Sequence, residues 1–386
     1  MDRRTLKNLD FLFILFTALL LVASLIILST ASINVLKSDP MHYVKSQAIW
    51  IILGIGLAAL LAVIDYEKWR AYRWWIYGLN IMLLLAVIFF GDAAKGATRW
   101  IPTPFGFSIQ PSEFAKIFIV VTLADFLADR KGKLNNYTDF IMPFLFVLVP
   151  MLLIFKQPDL GTTLVFVAIF VGMMFVAGAN PRKFGGLLLG GVLIVGVALW
   201  LHFSTTLPGW LHWAQGLPLP MQDYQLKRLT IFMNPAADMS GDGYHIIQSI
   251  WAIGSGGLWG KGYQMGTQGQ LNFLPEHHTD FIFSVVGEEF GFIGTITLLF
   301  IFLIFLLRSL SIALKARDTY GMLIATGIVS MFTFHILVNI GMTSGIMPVT
   351  GIPLPFISAG GSAMLSNMVA VGLLLSVNLR RRRLMF

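Results

Sequence analysis

The run Leu274-Pro275-Glu276-His277-His278-Thr279-Asp280-Phe281-Ile282-Phe283 sets carboxylates and imidazoles where a polar loop enters an apolar stretch. An acid at such a boundary has two readings. Asp280 is a general base facing a substrate headgroup, or Thr279 and Asp280 only cap the helix that follows. Glu276 and His278 are assigned to substrate binding beside Asp280. His277 and His278 next to Glu276 do not make a metal set, because adjacent residues do not share a helix face and histidine-spaced zinc patterns are missing.

A second group of residues is cationic: Lys95 and Arg99 in KGATRW, Lys156 before QPDLG with its Asp159, and Arg228 in KRL. Once the spans are placed, these cations fall on the face that the positive-inside rule depletes. An anionic ligand there explains them, and a lipid pyrophosphate is such a ligand. The competing reading is side chains snorkelling from helix ends. Glu113 and Lys116 lie three apart at the start of an apolar run, so they share a helix face and pair where the dielectric is falling. A packing role and a site role are both open for that pair. Glu288 and Glu289 lie about two turns beyond Asp280, and structural hydrogen bonding is the reading given to them.

The elements that must position these groups are membrane spans. Hydrophobic residues make up 56% of the chain and charged ones 12%, far more apolar than soluble domains. Runs long enough to cross a bilayer are expected near 11–33, 47–64, 74–90, 111–128, 141–155, 160–178, 184–202, 281–307, 321–340 and 361–379. The fold class is thus all-α and polytopic, one membrane domain of about ten spans with a large outer loop at 203–280. With both termini cytoplasmic, 18 of the 27 Lys and Arg residues fall inside, which sets the orientation. The first span lacks a small-residue cleavage site and is read as retained. Trp210, Trp213, Leu217 and Leu219 suit segments lying on the membrane surface, and Gly186 with Gly190 forms a GxxxG expected to pack closely on another helix.

Several functions are excluded. The net charge of +8 is absorbed by the inner loops, so no nucleic-acid partner is expected. Gly254-Ser255-Gly256-Gly257 neither follows a strand nor opens a helix, and there is no phosphate-binding GxxxxGK[ST] loop and no GxSxG elbow. The absence of cysteine rules out disulfides and thiolate metal sites.

In this order, KGATRWI (95–101), QPSEFAK (110–116), KQPDLGT (156–162), FMNPAAD (232–238), GYHIIQS (243–249), IGSGGLWGKG (253–262), LPEHHTDFIF (274–283) and GIPLPFISAGGS (351–362) resemble the SEDS family, the shape, elongation, division and sporulation proteins. The resemblance implies a ten-span peptidoglycan glycosyltransferase of the bacterial cytoplasmic membrane. Its site would face outside, polymerise lipid II, and work with a class B penicillin-binding protein transpeptidase among membrane lipid. The stretch 347–362 is similar to the elongation member, whereas the division member tends to carry Lys in place of Thr350. Ala359 departs from the Tyr of many relatives.

Asp280 matches the family's essential loop aspartate. The implied role is general base toward the GlcNAc 4-hydroxyl of the acceptor, which attacks C1 of the donor MurNAc with inversion. Arg99, Lys156, Arg228 and Lys116 would stabilise the departing undecaprenyl pyrophosphate. One carboxylate suffices because the leaving group needs no proton, unlike glycoside hydrolysis. No cofactor is implied beyond a divalent cation (Mg or Mn) arriving with the pyrophosphate. The rival readings are a flippase for lipid-linked precursors, which would set its charges at the bilayer midplane, a division or sporulation paralogue of the same family, and a non-catalytic scaffold.

Overall fold

The computed structural model describes residues 8–33, 39–94, 97–102, 107–204, 223–238, 241–270 and 273–381. Its long helices are α1 (Phe11–Ala31), α2 (His42–Val63), α3 (Arg73–Phe90), α4 (Pro111–Ala128), α5 (Tyr137–Lys156), α6 (Leu160–Val176) and α7 (Pro181–Phe203). They continue as α8 (Asp223–Met233), α9 (Asp242–Ser255), α10 (Ile282–Leu314), α11 (Thr319–Thr343) and α12 (Gly361–Leu379). Each expected span coincides with one of these helices. Among the described residues eight are long and apolar enough to cross a membrane. The other two are α6, which is shorter, and α4, which carries Glu113, Lys116 and Asp125. Between α3 and α4 a small antiparallel sheet runs β1 (Asp92–Ala94), β2 (Ala97–Pro102) and β3 (Ser108–Ile109). Lys95, Trp210, Trp213, Leu217 and Leu219 lie outside the described residues.

Helix starts follow local chemistry. Asp10, Asp159 and Asp318 cap α1, α6 and α11 by accepting the backbone N–H of Phe13, Thr162 and Gly321 at 3.0, 3.1 and 2.8 Å, the bond an N-cap carboxylate is suited to make. Pro111 and Pro181 occupy the first turns of α4 and α7, where no N–H is needed.

The most buried helices are α4, α11 and α12. Small residues let α12 press against α2, where a Cβ on Gly372 would sit 2.8 Å from the Ala58 carbonyl. Backbones approach this closely only across such residues. By contrast α7 stands at the periphery with 6% of its apolar window buried. A Cβ on Gly186 or Gly190 would meet nothing within 4 Å. The close packing expected of that GxxxG is therefore not made within the described chain, because α7 leans on its neighbours near Phe184 instead.

Helix α10 is broken, which the hydropathy pattern did not foretell. Gly291 has φ 65° and ψ −161°, a conformation open to glycine. The carbonyls of Glu288 and Glu289, cut off from the helix ladder, accept the N–H groups of Lys261 and Gly262 at 3.0 Å each. In return Phe292 and Ile293 donate to Gly257 and Leu258 at 2.9 and 3.2 Å. The glycine-rich stretch 254–262 thus serves as a patch for a helix break, since a Cβ at Gly256 would lie 2.9 Å from the Glu288 carbonyl. The Glu288 carboxylate gathers the Lys261 ammonium at 2.6 Å and the Thr267 N–H at 2.7 Å. Glu289 accepts from Gln264 and Gly266 at 3.3 Å. This is the structural hydrogen bonding expected of both.

Gly372→Ile should destabilise the detergent-solubilised protein by about 1–3 kcal/mol through overpacking, while Gly190→Ile should leave its melting temperature unchanged. Thermal unfolding of the two variants side by side measures the difference.

Candidate active site

Asp280 sits in a segment whose backbone is held at three successive carbonyls. Ala359 N–H donates to His278 O at 3.0 Å, the Ser358 hydroxyl to Thr279 O at 2.6 Å, and Asn339 Nδ2 to Asp280 O at 2.9 Å. The same amide donates to Ile352 O at 2.8 Å, and two carbonyl acceptors at one end fix which atom is nitrogen. Helix α10 begins after Phe281, its N-cap, with no side-chain hydrogen bond to the first turn. The N-cap position is thus Phe281 rather than Thr279 or Asp280, and the Thr279 hydroxyl donates to Glu276 Oε2 at 3.2 Å.

Asn339 belongs to α11, whereas Ser358 and Ala359 come from a mostly buried, non-helical stretch, 350–360, folded back between the spans. Irregular backbone inside a membrane protein persists only where its polar groups find partners. Here Gln47 on α2 accepts the Gly360 N–H at 3.4 Å and donates to Ser358 O at 3.3 Å. Ser24 on α1 reaches Ile357 O at 3.4 Å. The Ser358 hydroxyl also accepts the Leu354 N–H at 2.9 Å. Phe356, at φ 65°, is fully buried against Phe305 and Phe332 with ring centroids 5.4 Å away, so packing holds a conformation that costs a non-glycine residue energy.

A small hydrophobic cluster of Ile231, Ile246, Leu274, Phe281, Met342 and Val349 ties α8 and α9 to this region, and α8 thereby delivers Arg228. Its Nη1 donates to Val349 O at 3.3 Å. A Cβ placed on Gly351 (φ 72°) would lie 3.4 Å from Asp280 Oδ2 and 3.9 Å from Arg228 Nη1. Carboxylate and guanidinium therefore converge on one bare glycine. The neighbouring Lys227 turns away to pair with Asp238 at 3.1 Å.

The other expected site residues have distinct places. Glu276 is partly buried with φ 53°, and His277 Nδ1–H donates to Leu274 O at 2.6 Å. His278 packs its ring 4.6 Å from that of Tyr43. Arg99 on β2 donates to the carbonyls of Gln157, at 3.3 Å, and Pro158. Asp159 is buried as the cap of α6, and its Oδ2 accepts the Thr162 hydroxyl at 2.9 Å. Both residues thus shape the 157–161 turn, where a Cβ on Gly161 would be 3.0 Å from Thr350 O. Lys156, the last residue of α5, is exposed.

Glu113 and Lys116 form a buried pair, Nζ lying 2.9 Å from each carboxylate oxygen. A third member, His335 on α11, places Nε2 3.2 Å from the ammonium. An ammonium only donates, so Nε2 accepts, and the ring proton on Nδ1 serves the Pro353 backbone. Glu113 and His335 of this triad border a tight crevice under the 350–360 stretch, with Ser358 and Asn367. Sequence reasoning missed His335, Asn339, Gln47 and Ser358. The available signal was polar side chains within apolar spans. No three His, Cys, Asp or Glu side chains gather as a metal set among the described residues.

A family model described as "Cell cycle protein" (FtsW/RodA/SpoVE) matches residues 10–383. The chain is similar to peptidoglycan glycosyltransferase RodA of Treponema pallidum, with 36% identity covering 96% of this chain and 98% of that protein. It is also similar to the probable peptidoglycan glycosyltransferase FtsW of Geobacter metallireducens, with 38% identity over 89% and 87% of the two chains. A solved structure described as "Structural coordination of polymerization and crosslinking by a peptidoglycan synthase complex" superposes with a TM-score of 0.77 at 29% identity, covering 96% of this chain and 97% of that one. The chain belongs to the FtsW/RodA/SpoVE family, the SEDS proteins.

Proposed function

We propose that this multi-pass membrane protein is a peptidoglycan glycosyltransferase that polymerises lipid II at the outer face of the cytoplasmic membrane, as one domain of ten spans with both termini inside. The glycosyltransferase activity follows from relatives so named that align along nearly the whole chain. The observation that carries the site assignment is the convergence of Asp280 and Arg228 on Gly351, on backbone pinned at residues 278–280.

Asp280 takes the proton of the acceptor 4-hydroxyl as the oxygen attacks C1 of the donor. The C1–O bond to phosphate breaks, the configuration at C1 inverts, and the pyrophosphate departs with the electron pair. Arg228 lies nearest the reacting centre and balances the charge that develops there. Arg99 and Asp159 act through the turn they shape, and Lys156 at its exposed edge meets the pyrophosphate from outside, as does Lys95 of the loop that carries Arg99. Glu276 and His278 line the headgroup beside Asp280. Among the described residues the carboxylates do not form a metal set, so any Mg or Mn would arrive on the pyrophosphate oxygens. A class B penicillin-binding protein is the proposed partner, supported by the synthase complex whose chain this fold resembles. The elongation role rests on the 347–362 stretch.

Asp280→Asn should cut lipid II polymerisation by about 10²–10⁴-fold with unchanged thermal stability. Glycan strands made at the wild-type rate by the purified variant would sink the general-base assignment. Ser358→Ala, which strips the Thr279 carbonyl of its donor, should cost about 1–3 kcal/mol of stability and lower kcat more than it raises KM.

Single substitution of Glu113 or Lys116 strands a buried charge and should cost about 3–5 kcal/mol. Exchanging them, Glu113→Lys with Lys116→Glu, should restore folding and leave polymerisation absent, because the charges facing the 350–360 stretch are inverted. Recovery of both folding and activity would reduce the pair to packing.

A further inference from the structure

The far end of α4 from Glu113 opens on a cavity of about 490 Å³ lined by Arg73, Trp74, Phe126, Asp129, Arg130 and Lys133. An 18-residue helix spans about 27 Å, so this cavity lies at the opposite membrane face from Asp280. Its charges do not cancel. Arg70 binds Asp125 at 2.6 Å and Asp129 at 3.0 Å, and Arg73 binds the same two carboxylates at 2.9 and 3.3 Å. Two guanidinium groups are thereby matched by two carboxylates. Arg130 and Lys133 have no carboxylate partner among the described residues. Arg130 donates to Phe126 O at 3.0 Å and spreads over the Phe126 ring at 3.7 Å. Lys131 points elsewhere, to the Thr319 hydroxyl at 3.3 Å.

The walls pair those cations with apolar surface. Trp74 is 60% exposed at the start of α3, the level where amphipathic rings sit between headgroups and acyl chains. Arg73 lies 5.0 Å over its ring. Two uncompensated cations beside an exposed indole and a phenyl ring form a receptor for a phosphate attached to a hydrocarbon tail. A basic pocket between spans on the inner side has that character.

We propose that this cavity binds the headgroup phosphate of an anionic phospholipid of the inner leaflet, with Arg130 and Lys133 on the phosphate and Trp74 against the glycerol and upper acyl chain. The site is separate from the polymerising one, and its occupancy does not depend on Asp280. Its position relative to the bilayer rests on the orientation proposed above.

Native mass spectrometry and thermal shift on the full chain in neutral detergent, titrated with dioleoyl phosphatidylglycerol, dioleoyl phosphatidylcholine or inorganic phosphate, test it. Phosphatidylglycerol should bind and raise the melting temperature, and phosphatidylcholine should not. Each of Arg130→Gln and Lys133→Gln should weaken phosphatidylglycerol about fivefold, and the double variant on the order of twentyfold. Lys133 is exposed and Arg130 half-buried over Phe126, so the lipid-free melting temperature should match the wild type for Lys133→Gln and fall only slightly for Arg130→Gln, and Arg130→Lys should retain most of the affinity. Equal binding of the two lipids, undiminished phosphatidylglycerol binding by the double variant, or stabilisation by inorganic phosphate equal to that by lipid would each overturn the proposal.

Discussion

Three consecutive carbonyls, those of His278, Thr279 and Asp280, accept hydrogen bonds from Ala359, Ser358 and Asn339. Everything at the site hangs from this contact. A loop entering a membrane protein has no water to satisfy its backbone, and each unmatched group costs several kcal/mol. The 350–360 stretch supplies donors to two of the three carbonyls, and Asn339 of α11 serves the third together with Ile352 O of that stretch. The backbone of residues 278–280 is fixed at each carbonyl, which sets where the Asp280 carboxylate projects. Placement by backbone is stiffer than placement by long side chains, which is what a general base requires.

The same logic repeats elsewhere in that half of the molecule. The break at Gly291 is tolerated because Lys261, Gly262, Gly257 and Leu258 exchange four hydrogen bonds with it. The turn before α6 is tolerated because Arg99 donates to its carbonyls. In each place the partner lies far away in sequence. The non-helical backbone of this half is therefore one connected set of mutual satisfactions, resting on polar residues inside the spans such as Ser24, Gln47 and Asn339.

Much of this was legible in the sequence. Long apolar runs mark the helices because a bilayer leaves little other choice, and Asp280 was legible as an acid at a boundary. The pairing of Glu113 with Lys116 follows from three-residue spacing alone. The role of Arg99 was not legible, because a cation near glycine and proline reads alike whether it meets phosphate or a carbonyl. Neither was the break in α10, since Gly291 in an apolar run leaves hydropathy unchanged and only the partner glycines at 256–262 make the conformation affordable. The GxxxG of α7 misled because small residues permit close approach without supplying a neighbour.

Helix α4 shows how the two ends of one span use charge differently. At one end the buried Asp125 and the exposed Asp129 meet Arg70 and Arg73, whose guanidinium groups stay partly exposed, so solvent screens these pairs from the arginine side. At the other end Glu113 and Lys116 are 4% and 1% exposed, where desolvation consumes most of the Coulombic gain and an apolar pair of similar volume would hold the fold as well. Stability therefore does not explain the buried pair. Its geometry does: the ammonium fixes the tautomer of His335, the imidazole proton is left for Pro353, and Pro353 belongs to the stretch whose donors hold residues 278–280. A charge pair deep in α4 is thereby connected, through one ring and one backbone carbonyl, to the position of Asp280.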